Sequence, residues 1–243
     1  MAALFNPISE RWLVPSPPCA RCLERSSQAA EEANRRKRVE QRREKIESHL
    51  LTSGVPERFL PCTLANYDTT PATRYILDQT DRFLQEATYQ GLFLFGPTGV
   101  GKTHLASALA REFLLQDKKV LFRNMIRLCL EIRQTFDPRV SRSHTEKELV
   151  DLYRLSPLLI LDDLGAEQIT SWSVSISSMI LNDRYEEADK RLIITSNLNL
   201  KQIEKAYSPR VASRIAGMSL LLKVVGQDHR LKRGPDHGSS GAP

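Results

Sequence analysis

Gly96-Pro97-Thr98-Gly99-Val100-Gly101-Lys102-Thr103 carries the spacing G-x-x-x-x-G-K-[ST] of a phosphate-binding loop. Its glycines allow the backbone to curl so that successive N–H groups point inward at phosphate oxygens. Lys102 then supplies a point charge for the β- and γ-phosphates, and the Thr103 hydroxyl supplies a ligand for Mg²⁺. The flanks agree. Gly91–Phe95 reads as a short buried strand, and Thr103–Ala110 reads as a helix whose positive dipole end faces the phosphates. His104 adjoins the loop. It joins the eight loop residues as a candidate nucleotide contact, while its place on a helix favours a packing residue.

A chain of 243 residues with 41% hydrophobic content suits one large domain, or one medium domain with an appendage. No apolar run reaches the roughly 18 residues that span a membrane. The N-terminus lacks the basic patch and apolar stretch of a secretory signal. Four cysteines, Cys19, Cys22, Cys62 and Cys129, are too scattered for a disulfide scaffold, so a reducing cytoplasm is expected. The net charge of +6 suits a nucleic-acid partner without requiring one.

Residues 1–60 differ from the rest. Pro15, Pro17 and Pro18 precede Cys19-Ala-Arg-Cys22, and a charged stretch from Glu31 to Leu51 reads as a solvated helix with a thin apolar stripe of Val39, Ile46 and Leu50. Gly54 and Pro56 end it. From residue 74 the pattern becomes regular, with a helix from Tyr75 to Gln85 and then strands alternating with helices. Strands are expected at Gly91–Phe95, Lys119–Arg123, Leu158–Asp162, Arg191–Thr195 and Leu220–Val225. Helices are expected at Met125–Phe136, Glu146–Tyr153 and Trp172–Glu187. Strands apolar throughout are covered on both faces. The fold class is therefore α/β, a doubly wound, mostly parallel five-stranded sheet with a small helical N-terminal region.

A second constellation follows the loop. Leu158-Leu-Ile-Leu-Asp162-Asp163 is an apolar strand ending in carboxylates, the Walker B pattern. Asp162 would share Mg²⁺ with Thr103, and Asp163 would act as base or orient water. Arg191-Leu-Ile-Ile-Thr-Ser-Asn197 is another apolar strand with a polar end. Were it to lie beside Walker B, the Asn197 amide would reach the γ-phosphate, although Ser and Asn also serve ordinary turns. Two C-terminal arginines, Arg214 and Arg230, complete the candidate set. Arg214 would serve a neighbouring subunit's nucleotide if exposed, and is otherwise a surface arginine.

Taken in order, these motifs, with Leu-Asn-Asp-Arg-Tyr (181–185) and Ser-Arg-Ile (213–215), resemble the DnaC/DnaI/IstB group of AAA+ ATPases over residues 51–232. Ser53-Gly-Val-Pro-Glu-Arg-Phe59 and Leu64-Ala-Asn-Tyr67 resemble the joining segment of bacterial and phage helicase loaders. The resemblance implies ATP with Mg²⁺ held between self-associated subunits. It also implies a hexameric replicative helicase and single-stranded DNA as partners. Lys102, Thr103, Asp162 and Asp163 become the cis site, Asn197 a sensor 1, Arg214 an arginine finger and Arg230 a sensor 2. Many AAA+ members end Walker B in Asp-Glu. Here Asp163 is one methylene shorter, which implies slow, partner- or DNA-stimulated hydrolysis, with Glu167 as a backup. The domain plan is a partner-binding region over 1–60, an AAA+ ATPase over 61–232 and a disordered tail over 233–243.

Weaker signals remain. Cys19-x-x-Cys22 is half of a Zn²⁺ site, with only His49 and Cys62 near enough to complete it, or else a pair of free thiols. DnaI-type loaders carry zinc in this region. The basic run from Arg35 to Lys45 suits a helicase surface, DNA phosphates or plain solvation. Arg123, Arg127, Arg133, Arg139 and Arg142 surround Phe136, which suits single-strand binding, though Phe136 shares a helical face with core residues. Rival functions are an IstB-like helper of a transposase on duplex DNA, a small-molecule kinase (for which no lid insertion is evident), and a nucleotide-gated adaptor without catalysis.

Overall fold

A computed structural model of the chain describes residues 4–6, 11–13, 20–86, 88–135, 145–187 and 189–229. They fall into two compact units, Met1–Lys45 and Ile46–Pro243.

The first unit holds two short strands, β1 (Leu4–Asn6) and β2 (Arg11–Leu13), paired antiparallel with Leu4 opposite Leu13. It also holds most of α1 (Ala20–Ser53). In this unit the helix is solvated, and Val39 of its thin stripe is exposed. The charged stretch is thus part of a helix that starts well before Glu31. Good helix formers and the absence of Gly and Pro carry it through to Ser53. Gly54 ends it with φ of +98°, where a Cβ would meet the Phe122 carbonyl.

The second unit is a three-layer α/β domain. Its elements run α2 (Pro71–Gln85), β3 (Gly91–Phe95), α3 (Lys102–Leu115), β4 (Val120–Asn124), α4 (Met125–Gln134), α5 (Glu146–Leu155), β5 (Leu158–Leu164), α6 (Ser171–Glu186), β6 (Arg191–Ser196), α7 (Leu200–Ala206), α8 (Pro209–Met218) and β7 (Ser219–Lys223). The sheet order is β4-β5-β6-β3-β7 and every neighbouring pair is parallel. The expected sheet is thus present and wholly parallel. The last strand sits slightly earlier than its apolar run suggests. Residue 136 and the tail lie outside the described residues.

Strand alternation builds two cores. Leu92, Leu94, Leu158, Ile160 and Ile193 face one layer with Leu105, Leu109 and Phe113 of α3, joined by Ile46 and Leu50 from the end of α1. Phe93, Leu159, Leu161, Leu192 and Ile194 face the other, against α4 to α8. With both faces covered, the strands are apolar at consecutive positions. Helix starts are set locally. Thr70 with Thr73, Thr145 with Glu148, Thr170 with Ser173 and Asn199 with Gln202 form reciprocal capping boxes.

The topology places the chemistry. The chain leaves β3 through the phosphate loop and crosses by α3 to the far edge strand β4. β6 is then inserted between the loop strand and the acidic strand β5. The carboxyl ends of β3, β6 and β5 therefore lie side by side, where ligands bind in such sheets.

Candidate nucleotide site

The loop backbone is held open by glycine. Gly96, Gly99 and Gly101 have φ of +154°, +80° and +95°. A Cβ would stand 2.1 Å from the Val224 carbonyl oxygen at Gly96 and 3.1 Å from the Tyr67 ring at Gly101. Gly101 is the N-cap of α3, so the helix starts at Lys102 with its first N–H groups turned to the loop. Lys102 is buried, and its Nζ donates to the carbonyls of Gly96 (2.9 Å) and Pro97 (2.7 Å) and to Asn197 Oδ1 (2.8 Å). The ammonium is thereby fixed over the loop, on the Asn197 side chain at the end of β6.

β5 contains a bulge that the sequence does not announce. Leu161 pairs with Ile194 and Leu164 with Ser196, so Asp162 and Asp163 together oppose the single residue Thr195. Asp163 has φ of +59°, a left-handed conformation that Asp tolerates better than most residues. The bulge sends the two acids to different places. Asp162 is buried, and its Oδ1 accepts from Thr103 Oγ1 at 2.9 Å and Thr195 Oγ1 at 2.8 Å. Asp163 is half-buried and lines the cavity. Thr195 Oγ1 also accepts from the Asp163 N–H at 2.9 Å, so one fully buried hydroxyl bridges both acids. Sequence reasoning missed Thr195, because a threonine within an apolar strand reads as an ordinary strand former. Burial and the neighbouring Asp163 charge push the Asp162 carboxyl up to about 6, against the hydrogen bonds from Thr195 and Thr103 and the Lys102 charge.

Lys102, Thr103, Asp163 and Asn197 border a cavity of about 1040 Å³ whose other walls include Arg58, Asn66, Tyr67, Thr70 and His229. Its wall between residues 58 and 70 is tied to the loop and to α3. The Tyr67 hydroxyl donates to the Val100 carbonyl at 3.4 Å, and its ring meets the His104 ring edge-on at 5.2 Å. His104 Nε2 faces two acceptors, Asn66 Oδ1 at 3.0 Å and the Thr63 carbonyl at 3.3 Å, so this nitrogen carries the proton. His104 thus borders the cavity while pinning its wall.

The residues fit a Mg²⁺-bound triphosphate. The loop is a cradle that a Cβ would fill, and a buried ammonium and a buried carboxylate stand at its two sides. Among the described residues, no group of three or more His, Cys, Asp or Glu side chains could hold a metal ion by itself. Cys19 and the side chain of Cys22 lie outside the described residues, and nothing in the described part supports zinc.

Other expected residues are distributed as follows. Glu167 is buried, with one carboxylate oxygen accepting from the Gly165 N–H at 2.9 Å and the other from the Tyr207 hydroxyl. It braces the turn after β5, which removes it as a substitute for Asp163. Arg214 stands on α8 apart from its own chain's cavity, and Arg230 lies outside the described residues. Within the expected single-strand cluster, Arg123 is spent internally on the carbonyls of Ser53 and Phe122 and on Glu131. Arg133 lies over the Trp172 ring at 5.0 Å, and Arg139 and Arg142 lie outside the described residues.

A family profile described as IstB-like ATP binding protein matches residues 61–233. The chain belongs to this family. It is 27% identical over 190 residues to the replicative helicase loader DnaC of Buchnera aphidicola subsp. Acyrthosiphon pisum, covering 76% of each chain. It is 30% identical over 148 residues to a protein of insertion sequence IS21 from Pseudomonas aeruginosa named for ATP binding, covering 59% of this chain and 53% of that one. A crystal structure of the DnaC helicase loader superposes with a TM-score of 0.62 at 26% identity, over 70% of this chain and all of that one. The fold is that of the AAA+ ATPases, and ATP binding is the property shared across the family. Among the described residues no helix is long and apolar enough to cross a membrane.

Proposed function

We propose that this chain is an ATPase that loads a ring-shaped, hexameric replicative helicase onto single-stranded DNA. One observation carries the catalytic part. The phosphate loop, the acidic strand and the polar end of β6 meet through two hydrogen bonds, Thr103 to Asp162 and Lys102 to Asn197. Three separate stretches of sequence thus converge where a triphosphate would lie.

In this reading the loop N–H groups and Lys102 hold the phosphates, with Lys102 exchanging its carbonyl partners for phosphate oxygens. Thr103 and Asp162 would hold Mg²⁺, which would supply charge neutralisation to the phosphates. Thr195 keeps Asp162 aimed at Thr103 and fixes the bulge that turns Asp163 into the cavity. Asp163 orients the attacking water and takes its proton. Asn197 positions the same water, and Arg214 of a neighbouring copy stabilises the developing charge. The Asp163 side chain is short, so hydrolysis is slow and rises when helicase or DNA draws the subunits together.

The match to DnaC extends over 190 residues and three quarters of that protein, which favours the loader. The higher identity to the IS21 protein favours a transposase helper as a second reading. Co-purification with a hexameric replicative helicase, with and without ATP, tests the first. Retention by a transposase on duplex DNA, with no helicase bound, would support the second and overturn the first.

A further inference from the structure

Two arginines near each other in the family motifs have opposite surroundings. Arg184 of α6 is fully buried, and its terminal nitrogens are consumed by the carbonyls of Tyr153, Ser156 and Arg191 and by the Ser156 hydroxyl. Arg214 of α8, among the described residues, has its inner nitrogen as its sole hydrogen-bonding donor. Its Nε donates to Asn182 Oδ1 at 2.8 Å, and its guanidinium lies 5.2 Å from the centre of the Tyr185 ring. Among the described residues neither terminal nitrogen of Arg214 donates a hydrogen bond.

The holder is itself arranged. Asn182 Nδ2 donates to Glu186 Oε1 at 2.8 Å, which turns the amide oxygen toward α8. Arg210 Nη2 reaches the same oxygen at 3.3 Å. Tyr185 is 46% exposed, so its ring lies at the surface beside Arg214. Gly217 lies close beside it, where a Cβ would stand 3.3 Å from the ring.

We propose that Asn182 and Tyr185 are positioning residues that preset Arg214 for the nucleotide of a neighbouring copy of this chain. The inference rests on the role of Arg214 proposed above. A free arginine loses much rotamer freedom when it docks. Fixing Nε and holding the guanidinium over a ring removes part of that loss beforehand, and leaves the two forked nitrogens to meet a phosphate.

The test is steady-state ATP hydrolysis by the full chain, alone and in mixtures. N182A and Y185A are each expected to lower kcat about fivefold to tenfold, the size of one ordered long side chain, with KM for ATP within twofold. Y185F, which keeps the ring, is expected to stay within about threefold of the parent. Mixing N182A with D163N is expected to exceed the mean of the two rates, since intact Arg214 on the D163N chain would serve the intact site on the N182A chain. A mixture that stays at the mean, or a raised KM with unchanged kcat, overturns the inference. If R214A hydrolyses at the parental rate, the proposed role of Arg214 fails. If R214A is slow and N182A is not, only the positioning role fails.

Discussion

The two sides of the catalytic apparatus are built on different terms. On the loop side, Lys102, Asp162 and Thr195 are buried and every one of them is hydrogen-bonded within the chain. On the α6–α8 side, Arg214 is half-buried, does not line its own chain's cavity and, among the described residues, engages no terminal donor in a hydrogen bond. The first side is finished by folding and should bind nucleotide as a single chain. The second, in the role proposed for Arg214, would be finished by another copy. Binding and hydrolysis should therefore separate under mutation, and the predictions below are arranged to break that separation.

The largest effect is expected from R214A. Turnover should fall by about 10³-fold while ATP affinity stays within twofold. Equal losses in both would place Arg214 in its own chain's site. D163N comes next, with single-turnover hydrolysis slowed about 10²-fold to 10³-fold and binding retained. R184M should act on neither. It leaves the carbonyls of Tyr153 and Ser156 without their donor, so urea denaturation should show a loss of about 3 kcal/mol, with nucleotide affinity unchanged in the folded fraction. A smaller effect on rate than those of R214A and D163N is expected from T195V, which removes the bridge between the acids. Hydrolysis should slow about tenfold and stability should fall by about 1–2 kcal/mol. A rate unchanged by T195V would mean that the bulge holds Asp163 without it.

Much of the loop side was legible in the sequence, and the reason is physical. Phosphate cradling needs glycine at fixed spacing, and strands covered on both faces must be apolar at every position. Both constraints leave marks along a few consecutive residues. The β5 bulge left none, because one extra residue in an apolar strand changes no residue type. Thr195 was hidden for the same reason, and α7 because a seven-residue helix offers too short a pattern to read. Glu167 was misjudged as a spare acid. Its partners, Gly165 and Tyr207, lie 2 and 40 positions away, and only the fold brings Tyr207 near. On the α6–α8 side the arginines were visible as letters, but their opposite fates were not. Whether an arginine is consumed like Arg184 or left open like Arg214 depends on carbonyls and amides supplied by other elements.

Lys102 offers the most direct measurement. Titration of the full-length chain with ATP and Mg²⁺ should give saturable binding, and K102A should weaken it about 100-fold or more, or ~3 kcal/mol, in a protein that still unfolds cooperatively. A folded K102A chain that binds ATP as tightly as the parent would contradict the assignment of this loop as the nucleotide cradle.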